Sequence, residues 1–216
     1  MKHTVFLSHW MCLLCVIHFI VLLGFAVHCF GDKVEEFSAE QVLLDPSGEI
    51  QHAGTLYVST DKIRFEQLSA EGGGSMVIIF RKDLQVVRIL MPEAKMYMEN
   101  PLNEGDLQKA MQQIPENVKE VDLGAETING FECRKKQIEG EVEIPGGQKQ
   151  TFRSIVWVSE RIGLPLRTQG EDGHVTELRN IKTGHQPGDL FEVPSGYTKA
   201  ANILDAMGGL SGKSEN

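Results

Sequence analysis

The chain has 216 residues, with 30 acidic against 21 basic side chains and a formal net charge of −9. That balance argues against nucleic acid, whose phosphates must be met by clustered positive charge, and against an electrostatic hold on anionic lipid. Of the cysteines, Cys12, Cys15 and Cys29 lie near the N-terminus and only Cys133 lies well downstream, so no disulfide framework is expected.

Residues 11–27, MCLLCVIHFIVLLGFAV, form an apolar run broken only by His18, and no acidic residue occurs before Asp32. With Lys2 ahead of the run, residues 1–31 read as a secretory signal peptide. Cleavage after Ala26 or after Gly31 would leave a small residue at the cut. A retained membrane anchor is the alternative. So is lipidation at Cys29, although His28 stands where a lipoprotein signal wants a small residue. Removing residues 1–31 takes away one charged side chain, Lys2, so the remainder is one unit more negative. The expected organisation is a signal peptide over 1–31, one domain over 32–198 and a flexible tail over 199–216. The expected location is periplasmic, with membrane contact only through Cys29 or an uncleaved signal.

From residue 35 onward, strand-like runs alternate with turns. EEFSAEQVLL ends at DPSG, EIQHAGTLYVS at TD, and KIRFEQL at SAEGGGS; MVIIF, LQVVRILM and MYMEN follow, the last two separated by PEAK. Runs rich in Val, Ile, Phe, Tyr and Thr, broken every few residues by Gly, Pro, Asp and Asn, predict an antiparallel meander. One helix is expected next. In NEGDLQKAMQQIPE, residues Leu107, Ala110, Met111 and Ile114 fall at helical spacing, Asn103 can cap and Pro115 stops the run. Five more strands follow: VKEVDLGAETI, FECRKKQIEGEVEI, KQTFRSIVWVS, GLPLRTQG and HVTELRNIKTG. The NG and PGGQ turns between the first three are strong hairpin signals. The fold class is therefore mainly β, with about eleven strands and a mid-chain helix.

Several strands are apolar on both faces, MVIIF and SIVWVS above all. A sheet with one wet side should alternate, so both faces of this sheet are expected to be covered, by the helix, a loop or a ligand. The PEAK hairpin is the most informative stretch. A four-residue loop sets Met91 opposite Met96, and hence Leu90 opposite Tyr97, Ile89 opposite Met98 and Arg88 opposite Glu99. Alternation then puts Val87, Ile89, Met91, Met96 and Met98 on one face. The opposite face carries Arg88, Glu99, Leu90 and Tyr97. Assigning the charge pair to water turns the methionine strip inward. Such a strip is ordinary core, an adaptable lining for an apolar ligand, or a thioether site for Cu(I).

Other chemistry is thin. His52, His174 and His185 lack the spacing of metal ligands, and no nucleophile-elbow, phosphate-loop or dinucleotide motif occurs. Glu139, Glu141 and Glu143 share a strand face and read as a solvated edge; Arg134, Lys135 and Lys136 read as a wet stretch; Gly72–Gly74 read as a loop. Cys133 reads as a small buried hydrophobe rather than a nucleophile. No metal, cofactor or catalytic residue is expected.

Three stretches together carry a resemblance: LGAETINGFECRKKQI, VWVSERIGLPLR and TELRNIKTGHQPGDLFEVPSGY, with VVRILMPEAKMYME before them. They resemble an uncharacterised bacterial family, a domain of unknown function similar to the LolA/LolB lipoprotein-carrier superfamily, over about residues 35–198. The chain departs from the family where Met91 stands for a frequent Asp and Met96 for a frequent Thr. The resemblance implies an incomplete antiparallel β-barrel, its concave face covered by the helix. It implies no site residues. The function expected is a non-catalytic envelope protein that holds an acyl chain, lipid or lipoprotein against Val87, Ile89, Met91, Met96 and Met98, as carrier or sensor. The alternatives are an envelope scaffold whose barrel is filled by its own helix and, more remotely, a methionine-based Cu(I) binder.

Overall fold

The computed structural model describes residues 35–67, 75–102, 119–144 and 148–201. The chain is mainly β and forms two units by internal contact, one from residues 35–104 and 173–216, the other holding residues 105–172. Among the described residues, the eleven strands expected from the sequence are all present, with one more, Thr198–Lys199. The expected mid-chain helix over 103–116 lies outside the described residues, as do the signal segment, the Gly72–Gly74 loop and most of the C-terminal tail.

The first unit contains β1 (Phe37–Leu44), β2 (Ile50–Ser59), β3 (Lys62–Gln67), β4 (Met76–Arg81), β5 (Val86–Met91), β6 (Met96–Pro101), β11 (Val175–Thr183) and β12 (Thr198–Lys199). Strands β1 to β6 pair in chain order as an antiparallel meander; β11 pairs with β1, and β12 lies parallel on β6. The turns are built by local chemistry. At DPSG the Asp45 carboxylate accepts hydrogen bonds from the Ser47 and Glu49 N–H groups, both at 2.9 Å, which frees the chain to reverse. At PEAK, Lys95 takes φ 51° and closes the four-residue loop. The register is the one the loop length dictates: Met91↔Met96, Leu90↔Tyr97, Ile89↔Met98 and Arg88↔Glu99.

The face assigned to water is tightly packed. Leu90 is 1% exposed, Ile79 0% and Val77 5%, and Phe191 (0%) wedges among them. Phe191 belongs to a short 3-10 turn, Gly188–Phe191, in the connection between β11 and β12. This connection acts as a strap, with Leu190 and Tyr197 packed beside Phe191, Tyr57 and Tyr97. The charges on this face are satisfied by the strap. Arg64 donates to the Leu190 carbonyl at 2.9 Å, and Arg81 to the Phe191 carbonyl at 3.3 Å. Glu192 bridges Arg81 and Arg88, and Arg88 also holds Glu99 at 2.8 Å. Arg88 and Glu99 side chains are only 13% and 24% exposed. The premise that this pair sits in water is thus corrected: a guanidinium can be covered when carbonyls and carboxylates fill its donor positions.

The second unit's described strands are β7 (Lys119–Ile128), β8 (Phe131–Ile144), β9 (Gln148–Ser159) and β10 (Leu164–Gly170), in the order β10-β9-β8-β7. The NG turn joins β7 to β8 with φ 50° at Asn129 and 84° at Gly130, the pair of positive values that a two-residue hairpin of the favoured twist requires. Ile138, Val156, Ile162 and Leu166 are buried at 1% or less. Trp157 is flanked by Lys135 and Arg167, whose cationic groups lie 4.9 and 5.6 Å from the ring. Its indole N–H donates to Glu126 at 2.9 Å. Among the described residues, no helix is long and apolar enough to cross a membrane.

Candidate functional site

Register and alternation assemble one broad apolar face from β1 to β6. One row runs Met98, Ile89, Ile78, Phe65, Leu56 and Ala39, each opposite the next on the neighbouring strand. A second row runs Val87, Phe80, Ile63, Val58 and Phe37. At ~4.8 Å between strands, the six-strand row is about 24 Å long. The sequence signal is the alternation in IRF, MVIIF and VVRILM, whose odd and even positions serve two different covers.

A third row forms the margin, and it changes character along its length. It reads Gln41, Gly54 and Gln67 on β1–β3, then Met76 opposite Gln67 on β4, and Met91 opposite Met96 on β5 and β6. Continuing the β4–β5 ladder one step beyond Val77↔Leu90 sets Met76 beside Met91. The start of β4 is fastened to the PEAK turn, because the Ser75 N–H and hydroxyl both donate to Glu93, at 2.7 and 2.8 Å. Gly54 in this row is a close-approach position. A Cβ there would come within 2.8 Å of the Phe65 ring and 2.7 Å of the Glu66 carbonyl. Glycine therefore lets the Phe65 ring lie on the strand backbone.

Burial is graded across the face. Phe37, Ala39, Leu56, Val58, Ile63 and Phe65 on β1–β3 are buried. Met76, Ile78, Phe80, Val87, Ile89, Met91 and Met96 on β4–β6 are half-buried. Met98 is the exception at 8% exposure, and it packs with Ala200 just after β12 and with Ile89, Met91 and Met96. Lys199 and Ala200, within the stretch expected to be flexible tail, are therefore held: the Ala200 N–H donates to the Tyr97 carbonyl and the Lys199 ammonium to Glu99, at 2.8 and 2.9 Å.

The structure thus brings Val87, Ile89, Met91, Met96 and Met98 onto one face. It adds Met76, which the sequence reading missed. The signal was present, since Met76 alternates with Ile78 and Phe80, but the glycine loop before it hides which strand it neighbours.

Among the described residues, several polar groups form latches between segments of the chain. Glu36 accepts from the Ser59 hydroxyl at 2.6 Å and the Gln186 N–H at 2.8 Å, and its other contact is His185 at 3.0 Å. Serine, histidine and carboxylate meet here, yet the serine proton points to the carboxylate, so the histidine does not activate it. Burial pushes the Glu36 carboxyl up, but these hydrogen bonds outweigh it and hold the group below the usual glutamate value. Along β8, Lys135, Lys136 and Arg134 pair with Glu126, Glu120 and Asp122 of β7, and Glu139 with Arg153 of β9. Cys133 is 1% exposed, and burial raises its thiol pKa, the opposite of what a nucleophile needs. It lies by a polar depression of about 500 Å³ between the ends of β8 and β9, lined also by Phe131, Arg134, Ser159 and Arg161.

A family model described as a domain of unknown function, DUF4412, matches residues 42–165, more than half of the chain and inside the span that carried the sequence resemblance. No curated protein matches in sequence. Among solved structures, the chain is similar to PNGF-II at 12% identity and a TM-score of 0.52, covering 80% of this chain and 32% of that one. It is also similar to an uncharacterized conserved protein from Thermus thermophilus, at 11% identity and a TM-score of 0.50, covering 77% and 90%. A weaker likeness, TM-score 0.44 at 10% identity, is to the lipoprotein LppX of Mycobacterium tuberculosis, covering 81% and 97%. The chain spans about a third of the length of PNGF-II. At these identities the likenesses to PNGF-II and to the Thermus thermophilus protein establish the fold alone.

Proposed function

Because the chain belongs to the DUF4412 family, a domain of unknown function, we propose its role from the apolar face itself: the protein is a non-catalytic envelope protein that holds an apolar ligand against β1–β6, as carrier or sensor. The observation that carries this reading is the graded face. Its β1–β3 half is buried like a core, while its β4–β6 half, Met98 apart, is apolar without being fully buried. Half-buried apolar side chains in a continuous sheet are what an adaptable binding surface requires, and methionine, unbranched and polarizable, suits a surface that must fit chains of varied shape. The strap supports the reading from behind. It seals the opposite side of β4–β6 with Phe191 and a clamp of arginines, so the sheet does not need the methionine face for its own stability on both sides.

The ligand is an acyl chain, a lipid or a lipid-modified protein, and the binding residues are Val87, Ile89, Met91, Met96 and Met98, joined by Met76. Export across the inner membrane through the N-terminal apolar run, with release of a mature chain beginning near residues 27–32, completes the proposal. Solvent extraction of purified protein followed by mass spectrometry, together with titration by a fluorescent fatty acid, tests it. A co-purified lipid or saturable uptake is expected. Neither extract nor uptake would replace the carrier by a scaffold whose apolar face is filled by the chain itself.

A further inference from the structure

The methionines are not equivalent, and their placement points to a chemical switch. Met76, Met91 and Met96 stand side by side in the margin row of β4, β5 and β6, all half-buried. Met98 stands one row further in, 8% exposed and covered by Ala200. Half of the chain's eight methionines therefore lie on one face, three at its accessible margin and one inside. We propose that Met76, Met91 and Met96 form a site of reversible oxidation by peroxide, and that their conversion to sulfoxide closes the face to apolar ligands.

The chemistry balances within the two reactants. A thioether lone pair attacks one oxygen of the peroxide; the S–O bond forms as the O–O bond breaks. Sulfur loses two electrons and the peroxide gains them. The departing hydroxide takes the proton left on the transferred oxygen and leaves as water. The product is a sulfoxide, polar and chiral where the thioether was apolar and flexible. Three such groups in a row would replace an apolar margin by acceptors that bind water. They would do so at the end where the other half of the same row, Gln41 and Gln67, is already polar. The apolar face would then be rimmed by polar groups from β1 to β6 and offer a ligand only its buried interior.

A structural consequence follows on β12. Ala200 is held by contact with Met98, and Met91 and Met96 pack against that pair. Oxidation of the margin weakens this packing without touching the backbone bonds from Thr198 and Ala200 to Lys95 and Tyr97. Competition from a thiol is also weak among the described residues: Cys133 is buried in the other unit with a raised thiol pKa, so peroxide meets thioethers first.

This inference rests on the carrier reading for its functional half, and the experiment separates the two. Purified protein is treated with graded hydrogen peroxide, digested and mapped by mass spectrometry, while a fluorescent fatty acid reports binding before and after. Sulfoxide is expected on the peptides carrying Met76, Met91 and Met96 at least ten-fold faster than on Met98, with binding of the probe falling at least ten-fold. A methionine sulfoxide reductase restores it. In the triple variant Met76→Leu, Met91→Leu, Met96→Leu, probe binding is expected to be the same before and after peroxide, whatever its level relative to the parent. Oxidation of Met98 at the same rate as the others, or undiminished binding by the oxidised protein, or peroxide sensitivity persisting in the triple variant, would each overturn the proposal. If untreated protein takes up no probe, the carrier reading fails, while the order of oxidation still decides whether the margin is a modification site.

Discussion

Replacing Phe191 by alanine tests how the sheet is sealed. Its side chain is 0% exposed and lies against Val77, Ile79 and Leu90, which are 5%, 0% and 1% exposed. Deleting a fully buried aromatic ring costs ~3–5 kcal/mol through lost transfer energy and the cavity left behind. That is a large share of the ~5–15 kcal/mol that holds a domain together. For a chain of this length each kcal/mol lowers Tm by ~2–4 °C, so Phe191→Ala is expected to melt about 6–20 °C below the parent. The same strap offers an internal contrast. Glu192 bridges Arg81 and Arg88, but its side chain is 53% exposed, and Arg81 retains Asp83 at 2.7 Å. Discounted for solvent screening, Glu192→Ala should cost about 1 kcal/mol or less. Thermal melting and urea titration on both variants measure the difference, with an unchanged denaturant slope confirming that one transition is being compared. A loss in Phe191→Ala no larger than in Glu192→Ala would refute the argument, since the ring would then not be wedged into the sheet.

Three further outcomes are expected. Met98→Asp puts a carboxylate at an 8%-exposed position among Ile89, Met91, Met96 and Ala200, and its desolvation should cost several kcal/mol. Met96→Asp, at a half-buried position, should remain folded and fail to take up a fluorescent fatty acid; melting and dye uptake compare the two, and equal melting temperatures would remove the distinction between interior and margin. The second concerns acid. Glu36, Asp83 and Glu99 have lowered pKa values in the folded chain. They therefore add stability above their unfolded values, near 4.5 for the glutamates, and that stability is lost as pH falls through the lower folded values. Melting temperature should fall on acidification below that point, and Glu36→Gln should flatten part of the fall; an identical pH profile in the variant would show that the latch contributes nothing. The third concerns the β7–β8 turn. Gly130 has φ 84° and a Cβ there would meet nothing within 4 Å, so Gly130→Ala isolates backbone strain and should cost about 1 kcal/mol by equilibrium unfolding; a neutral variant would mean that the turn relaxes to another type.

The parts of the molecule that were legible in advance are those fixed by near neighbours in the chain. Four residues between Met91 and Met96 set the register of β5 and β6, because loop length leaves a hairpin little choice. Asn129–Gly130 announced its turn for the same reason. The methionine strip followed from that register by alternation. What could not be read was which surface would be covered by a distant segment. Arg88 and Glu99 look like a solvated pair from the hairpin alone. They are shielded because Glu192 and the Leu190 and Phe191 carbonyls come to Arg88, Arg64 and Arg81 across 104 to 126 residues of sequence. Leu90 and Tyr97, apolar on the same face, were the warning, and the closing motif from Leu190 to Tyr197 was the partner. Met76 stayed hidden because a glycine loop gives no fixed count from which to extend a ladder.

The strap also orders events in time. Residues 35–102 build the meander, yet the wedge that covers β4 and β5 is not synthesised until Phe191, 110 residues after Arg81. At ~5–20 residues per second, Val77, Ile79 and Leu90 spend roughly 5–20 s on a nascent chain without their cover. Closing a loop of that length costs about 4 kcal/mol in chain entropy, which the ring and the arginine clamp must repay together. Any chain cut short before the strap is a finished meander with an uncovered back, a natural target for a holding chaperone and a poor candidate for crossing a membrane as a folded body.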